Sequence, residues 1–233
     1  MSTSRWDLVH APHGIASLRQ THWLDDEPRA YDDAPGQWWA EGGVVRGTGI
    51  PGIDDVRLEP FEAIEVGPLR LRAFRRNDAL ALRVYDPQNP SRLALTGIES
   101  FDEDAAWRLI GRFEPAPAGE ERLVRSVDGH ESAQAATGAI ALTVDGADVR
   151  LVVSGDESGL SAVIADATAA DGAYPFRFLP IAAADADGAV VVDFNDAYLP
   201  PCAFSDQYVC PLPPPENRFA AAIRAGERRA LRA

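Results

Sequence analysis

Ile140-Ala-Leu142-Thr-Val144-Asp145-Gly146-Ala-Asp-Val149-Arg-Leu151-Val-Val153 is the stretch whose reading decides the fold. Apolar residues recur at every second position on both sides of an Asp-Gly pair. Period-two alternation sends one set of side chains inward and the other outward, the pattern of a half-buried strand. Asp-Gly suits a two-residue hairpin turn, in which both central residues need a positive φ. Two antiparallel strands joined by a tight turn are therefore expected.

The pattern repeats outward from there. Leu69, Leu71 and Ala73 alternate with Arg70, Arg72 and Phe74. Leu80, Leu82 and Val84 alternate with Ala81, Arg83 and Tyr85, and Asn77-Asp78 between the runs reads as a second turn. Trp107, Leu109 and Phe113 mark a strand with Arg108 and Arg112 outward. Phe61–Val66, Arg122–Val127, Leu160–Ala165 and Val190–Phe194 are further strand candidates, and Phe219–Ile223 reads as a strand in preference to a short helix. The main helix-like stretch is about 15–24, and it is short. Stretches 132–137, 168–172 and 182–188 read as surface loops. Many short strands with Gly/Pro turns predict an all-β, mainly antiparallel sandwich or partly closed barrel with a short N-terminal helical segment. No flexible linker divides residues 1–233, which reads as a single β-rich domain. Residues 1–40 would be a covering segment and 193–218 a proline-rich loop.

The formal net charge of -14 repels phosphate backbones and anionic lipid, so neither nucleic acid nor membrane is an expected partner. A local basic patch at Arg70, Arg72, Arg75 and Arg76 is the exception, or else a solvated strand face. Lysine is absent, and all 22 basic residues are arginine. That removes a Schiff-base lysine for pyridoxal phosphate and a P-loop lysine for nucleotide triphosphates. Residues 1–22 lack the apolar core of a signal peptide, and no run approaches a membrane helix. The expected location is the cytoplasm, with Cys202 and Cys210 as thiols. Nothing in the sequence sets an oligomeric state.

Gly47, Gly49 and Gly52 spell G-x-G-x-x-G, but no helical pattern follows Pro51, so a Rossmann dinucleotide site is not expected. Asp185-Ala-Asp187-Gly188 lacks the later ligands of a calcium loop. Cys202 and Cys210 do not have the spacing of a zinc half-site, and no metal is expected. His22 and Trp23 lie near Tyr31, Trp38 and Trp39. These aromatics either pack over one end of a sheet or line an apolar pocket with His22 as its polar group.

Polar residues concentrate from Asp193 to Arg218. The apolar run Val190–Val192 reads as a buried strand. Prolines 200, 201, 211 and 213–215 then fix φ and remove donors, which makes a stiff loop. Asp193, Asn195, Tyr198, Cys202, Cys210, Glu216, Asn217 and Arg218 would be preorganised on it. The alternative is a covering loop whose polar groups bond the adjacent backbone.

Asp-Phe-Asn-Asp-Ala-Tyr at 193–198, Pro-Cys-Ala-Phe at 201–204 and Cys-Pro-Leu-Pro-Pro-Pro-Glu-Asn-Arg at 210–218 resemble the signature of an uncharacterised prokaryotic family, domain of unknown function 1684. Ala225-Gly226-Glu227 resembles its ending, and Asp166-Ala167-Thr168 with Tyr174 and Arg177 a further block. His13-Gly14, His22-Trp23-Leu24 and Asp33-Ala-Pro-Gly36 resemble actinobacterial members. The chain departs from the family at 169–172 and at Leu199, where many members carry Asn. The resemblance implies site candidates and no chemistry.

Three functions remain open at this point. The first is binding of a small anionic ligand at a site built on the 193–218 loop, with Arg177 and Arg218 as bidentate donors. The second is a hydrolase or transferase using Cys202 or a carboxylate. The third is a structural or protein-interaction domain.

Overall fold

The computed structural model describes residues 4–156 and 158–233. Its architecture is mostly antiparallel β with a short N-terminal helix. Close backbone contacts group the chain into two compact units. One comprises the residues up to Leu95, with Phe204–Tyr208 and Arg232–Ala233. The other comprises Thr96–Ala203 and Val209–Leu231.

The first unit begins with α1 (Arg5–His10), capped by Ser4, whose side chain accepts from the Asp7 amide while Asp7 reaches back to the Ser4 amide. This is a capping box, and it satisfies two amides that the helix leaves open. Stretch 15–24, expected as helix, is a single 3-10 turn (Ile15–Ser17) followed by strand β1 (Leu18–Trp23). Pairing of β1 with a neighbouring strand overrides the weak helical pattern. Next come β2 (Arg29–Tyr31), β3 (Ala34–Glu41), β4 (Val44–Ile50), β5 (Ile53–Leu58), β6 (Ala63–Val66), β7 (Leu69–Arg76), β8 (Ala79–Tyr85) and α2 (Pro90–Leu93). Residues 1–40 thus contribute three strands of the sheets themselves. One four-stranded sheet has the order β1-β8-β7-β6 and the other β2-β3-β4-β5. All their ladders are antiparallel.

The two sheets share a core. Trp38, Val45, Ile50, Val56 and Leu58 of one meet Leu71, Leu80, Leu82 and Val84 of the other. Trp38 is fully buried, and its indole N–H donates to the Pro35 carbonyl at 2.9 Å. The G-x-G-x-x-G run is the β4–β5 hairpin. A Cβ on Gly47 would stand 2.7 Å from the Trp38 ring, so that glycine serves close packing.

In the second unit lie β9 (Leu95–Ser100), β10 (Arg108–Pro115), β11 (Glu121–Arg125), β12 (Glu131–Ala135), β13 (Gly138–Val144), β14 (Ala147–Asp156), β15 (Gly159–Ile164), β16 (Arg177–Ile181), β17 (Ala189–Asp193) and β18 (Glu227–Arg232). Six of them form one sheet, β16-β15-β14-β13-β10-β17, and β11-β12 and β9-β18 form separate pairs. The β13–β14 hairpin has the expected register, Ile140 opposite Leu151 and Val144 opposite Ala147. Asp145 and Gly146 take φ of 49° and 77°, as the turn requires. Stretch 132–137, read as loop, is largely the edge strand β12. Phe219–Ile223, read as strand, is irregular, because its backbone bonds the Ala165 carbonyl and the Asp166 carboxylate in place of a ladder.

One face of the six-stranded sheet is closed by the chain after β17. Phe194, Ala197, Phe219, Ile223 and Ala225 pack on Ile140, Leu151, Ile164, Leu179 and Val192. No helix is long and apolar enough to cross a membrane, among the described residues.

Candidate functional site

The polar residues from Asp193 to Arg218 do not aim at one point; most of them finish backbone hydrogen bonding. Asp193 caps a 3-10 turn by accepting from the Asn195 amide, and it meets Arg108 at 3.2 Å. Asn195 donates to the Asp104 carbonyl at 2.9 Å and accepts from the Asp104 amide at 3.1 Å. Tyr198 exchanges two backbone bonds with Phe178, at 2.8 and 2.9 Å.

Asn217 is the clearest case. It is 1% exposed. The β14–β15 ladder runs from the Asp156–Gly159 pair to Ser154–Ser161 and stops there. Two residues on, at Val152 and Val163, the Asn217 side chain takes the place of the ladder. Its oxygen accepts from the Val152 amide at 2.7 Å, and its nitrogen donates to the Val152 and Val163 carbonyls at 2.8 and 2.9 Å. Both donors and one acceptor site of the amide are used, on three backbone groups beyond the end of the ladder.

Arg177 is a second structural hub. It is 1% exposed and lies 2.6 Å from the buried Asp166 carboxylate. It also donates to the carbonyls of Ile223, Ala225 and Glu227. Asp166 caps the turn at Ala167–Asp171 and accepts from the Ile223 amide. All this occupies the guanidinium, which is sealed from a ligand. Glu216 and Arg218 are exposed; Glu216 meets Arg122 at 3.4 Å, and Arg218 donates to the Pro213 carbonyl at 3.2 Å.

Cys202 and Cys210 do come together. A 3-10 turn at Pro201–Ala203 turns the Cys202 amide onto Cys210 Sγ at 3.4 Å. The Tyr174 hydroxyl donates to Cys202 Sγ at 3.5 Å. Both cysteines are free thiols, Cys202 half-buried and Cys210 buried. The hydrogen bond from the Cys210 thiol lowers the Cys202 pKa; burial opposes this, and Tyr174 adds to the lowering. Among the described residues no three His, Cys, Asp or Glu side chains gather as a metal site.

His22 and Trp23 belong to the first unit. His22 bonds Asp33 at 2.7 Å and stacks on Tyr31 with ring centroids 3.9 Å apart. Trp23 carries the Arg76 guanidinium 4.5 Å from its ring centroid. Trp38, for which packing on a sheet and a pocket wall were both open, is core.

The same unit holds a cleft that the sequence showed only as a basic patch. Its volume is about 590 Å³, and Phe61, Glu65, Arg70, Arg72, Tyr85 and Tyr208 are among its walls. The strand register builds it. Arg70 lies opposite Tyr85 and Arg72 opposite Arg83, on one face of β7 and β8. Arg70 pairs with Glu65 at 2.8 Å. Arg72 spends its Nε on the Phe61 carbonyl at 3.1 Å, and its terminal nitrogens have no hydrogen-bond partner among the described residues. Arg83 is 7% exposed. It stacks 3.5 Å from the Phe74 centroid and 5.1 Å from that of Tyr208, and its Nε has no hydrogen-bond partner among the described residues. Burial pushes its pKa down, while Tyr85 and Tyr208 counter the effect. Tyr208 reaches the cleft from the proline-rich segment, its hydroxyl donating to the Ile15 carbonyl at 3.1 Å. Phe61 takes a left-handed φ of 76°, an uncommon state for a bulky residue.

A family model described as a protein of unknown function, DUF1684, matches residues 94–228, more than half of the chain. The chain belongs to this family. The matched span holds Asn217, the Asp166–Arg177 pair and both cysteines. The DUF1684 match begins after β8, so apart from Tyr208 the cleft residues precede it. No curated protein matches the chain. Among solved structures, it is similar to an uncharacterized protein of Haloarcula marismortui known from solution NMR, at 27% identity, over 57% of this chain and 76% of that one, with a TM-score of 0.47.

Proposed function

We propose that this DUF1684 protein binds a small anionic molecule in the arginine-lined cleft of its first unit. The proline-rich segment would contribute Tyr208 to that site. The observation that carries this reading is the Arg72–Arg83 pair. Two like charges directly opposite on a sheet destabilise it, and a buried cation without a carboxylate is costly. An anion held by the terminal nitrogens of Arg72 would offset both penalties. The planar guanidinium fork suits a carboxylate or phosphate, and the flanking rings of Phe61, Tyr85 and Tyr208 suit an organic body beside the charge. A cleft of this volume falls in the range of metabolite sites.

The test is thermal unfolding in pyrophosphate, citrate and chloride at matched ionic strength. Pyrophosphate or citrate should raise Tm; at a hundredfold excess over Kd the gain is about 2.7 kcal/mol, several degrees. Arg72→Ala should remove most of that rise. Equal curves in all three salts, or a rise undiminished in Arg72→Ala, would overturn the reading.

A further inference from the structure

Apart from the cleft, the cysteine pair is the cluster of reactive groups that backbone bonding leaves unexplained. Asn195, Asn217 and Arg177 are occupied by the fold, and the open groove on the outer face of β10, β13 and β14 has nothing to define an occupant. Cys202 and Cys210 are different. They are separated by seven residues. The turn at Pro201–Ala203 nonetheless brings Cys210 Sγ to 3.4 Å from the Cys202 amide nitrogen. That places the sulfur within about 5 Å of the Cys202 Cα, inside the reach of a disulfide.

The two thiols are unequal. Cys202 is the more exposed, and it receives the Tyr174 hydroxyl. Cys210 is 5% exposed and faces Cys202. An attacking thiol must be reachable and stabilised as thiolate, whereas a resolving thiol needs only to lie behind it. The arrangement meets both conditions.

We propose that Cys202 and Cys210 form an oxidation site for hydroperoxides, with Cys202 attacking and Cys210 resolving. The Cys202 thiolate attacks the distal peroxide oxygen. The O–O bond breaks, water or an alcohol leaves after protonation, and Cys202 becomes a sulfenic acid. Cys210 then loses its proton and attacks that sulfur. The S–S bond forms, the S–O bond breaks, and the departing hydroxide takes the proton as water. Two thiols lose two electrons, and the peroxide gains them. Tyr174 is a positioning residue: its hydroxyl stabilises the thiolate without entering the exchange. The ring so closed spans Phe204–Tyr208, the piece of chain that supplies Tyr208 to the cleft. Oxidation itself does not depend on the cleft binding an anion.

The experiment treats the reduced full-length chain with dilute hydrogen peroxide and dimedone, then maps both cysteines by mass spectrometry. Wild type should form a disulfide between Cys202 and Cys210 within one chain. Cys210→Ser should accumulate the dimedone adduct at Cys202. Cys202→Ser should oxidise slower by about tenfold or more. Iodoacetamide labelling of wild type, which needs no variant to fold, should modify Cys202 ahead of Cys210 and from a pH below that of a free thiol. In Tyr174→Phe that pH profile should move upward, a change that a purely packing role would not produce. Oxidation of Cys210 at an unchanged rate in Cys202→Ser, disulfides only between chains, or a Cys202 no more reactive than free cysteine would overturn the proposal.

Discussion

Arg72 and Arg83 face each other across β7 and β8, and neither is ion-paired with a carboxylate among the described residues. Arg83 is buried against the rings of Phe74 and Tyr208. A cation held this way stabilises the fold little and strengthens the field in the cleft. Arg83→Met keeps the stem and removes the charge. Stability without ligand should stay level or rise by about 1 kcal/mol. The Tm response to pyrophosphate should shrink. Urea unfolding with and without pyrophosphate checks both, and a loss above about 3 kcal/mol would show that the charge is structural.

Phe61 stores strain beside the same cleft. Its φ of 76° costs a bulky residue about 1–3 kcal/mol, which glycine avoids. Its ring is half-exposed and packs edge-on to Phe74 at 6.3 Å. Phe61→Gly exchanges strain relief for a modest loss of contact, so unliganded Tm should hold or rise. If the ring covers a bound anion, dissociation should quicken, read as a weaker Kd by calorimetry.

Glu65 sets a pH dependence. Its hydrogen bond and ion pair with Arg70 hold the carboxyl below its ordinary pKa. The ionised form is thus favoured in the folded state. Its stabilising effect is present above the ordinary glutamate pKa and fades as pH falls through the lowered folded value. Protonation there also releases Arg70. Anion affinity should therefore climb as pH drops through that window. Glu65→Gln should bind anions more tightly near neutral pH and lose the climb, as titrations at several pH values would reveal.

Alternating apolar residues and turn chemistry revealed most of the strands. Asp145-Gly146 and Asn77-Asp78 sit where the sequence places them, because a two-residue turn depends on local backbone energies alone. The helix expected near 15–24 failed because strand pairing, a non-local effect, decides that stretch. The site was less legible. Arg83 occupies a position that alternation assigns to solvent, yet Phe74 beside it and Tyr208, which arrives from far along the chain, cover it. Asn217 and Arg177 stand out in sequence as polar residues in a distinctive block. Whether such a residue meets a ligand or a bare carbonyl depends on where a distant ladder ends.

Asn217 should therefore be a stability residue. Asn217→Ala strips a partner from the Val152 amide and from two carbonyls. Each buried group left unsatisfied costs about 1–3 kcal/mol, so a loss of roughly 3 kcal/mol or more is expected. Asn217→Asp should not rescue it, since a carboxylate accepts from Val152 but cannot donate to the carbonyls. Chemical denaturation gives the value, and amide exchange at Val152 should rise in step.

Asp166 and Arg177 should behave as a coupled pair. Both are nearly sealed, and their oxygen and nitrogen lie 2.6 Å apart. Removing either partner leaves a buried charge uncompensated, at a cost of about 3–5 kcal/mol. Asp166→Ala also uncaps the turn at Ala167–Asp171, which adds about 1 kcal/mol. Arg177→Met additionally bares the carbonyls of Ile223, Ala225 and Glu227. The double variant removes both charges together, so it should lose less than the two single losses combined. A double-mutant cycle by urea denaturation should return a coupling of about 1–3 kcal/mol. Strict additivity would mean that the arginine is held by its carbonyl contacts alone and that the carboxylate contributes only as a cap.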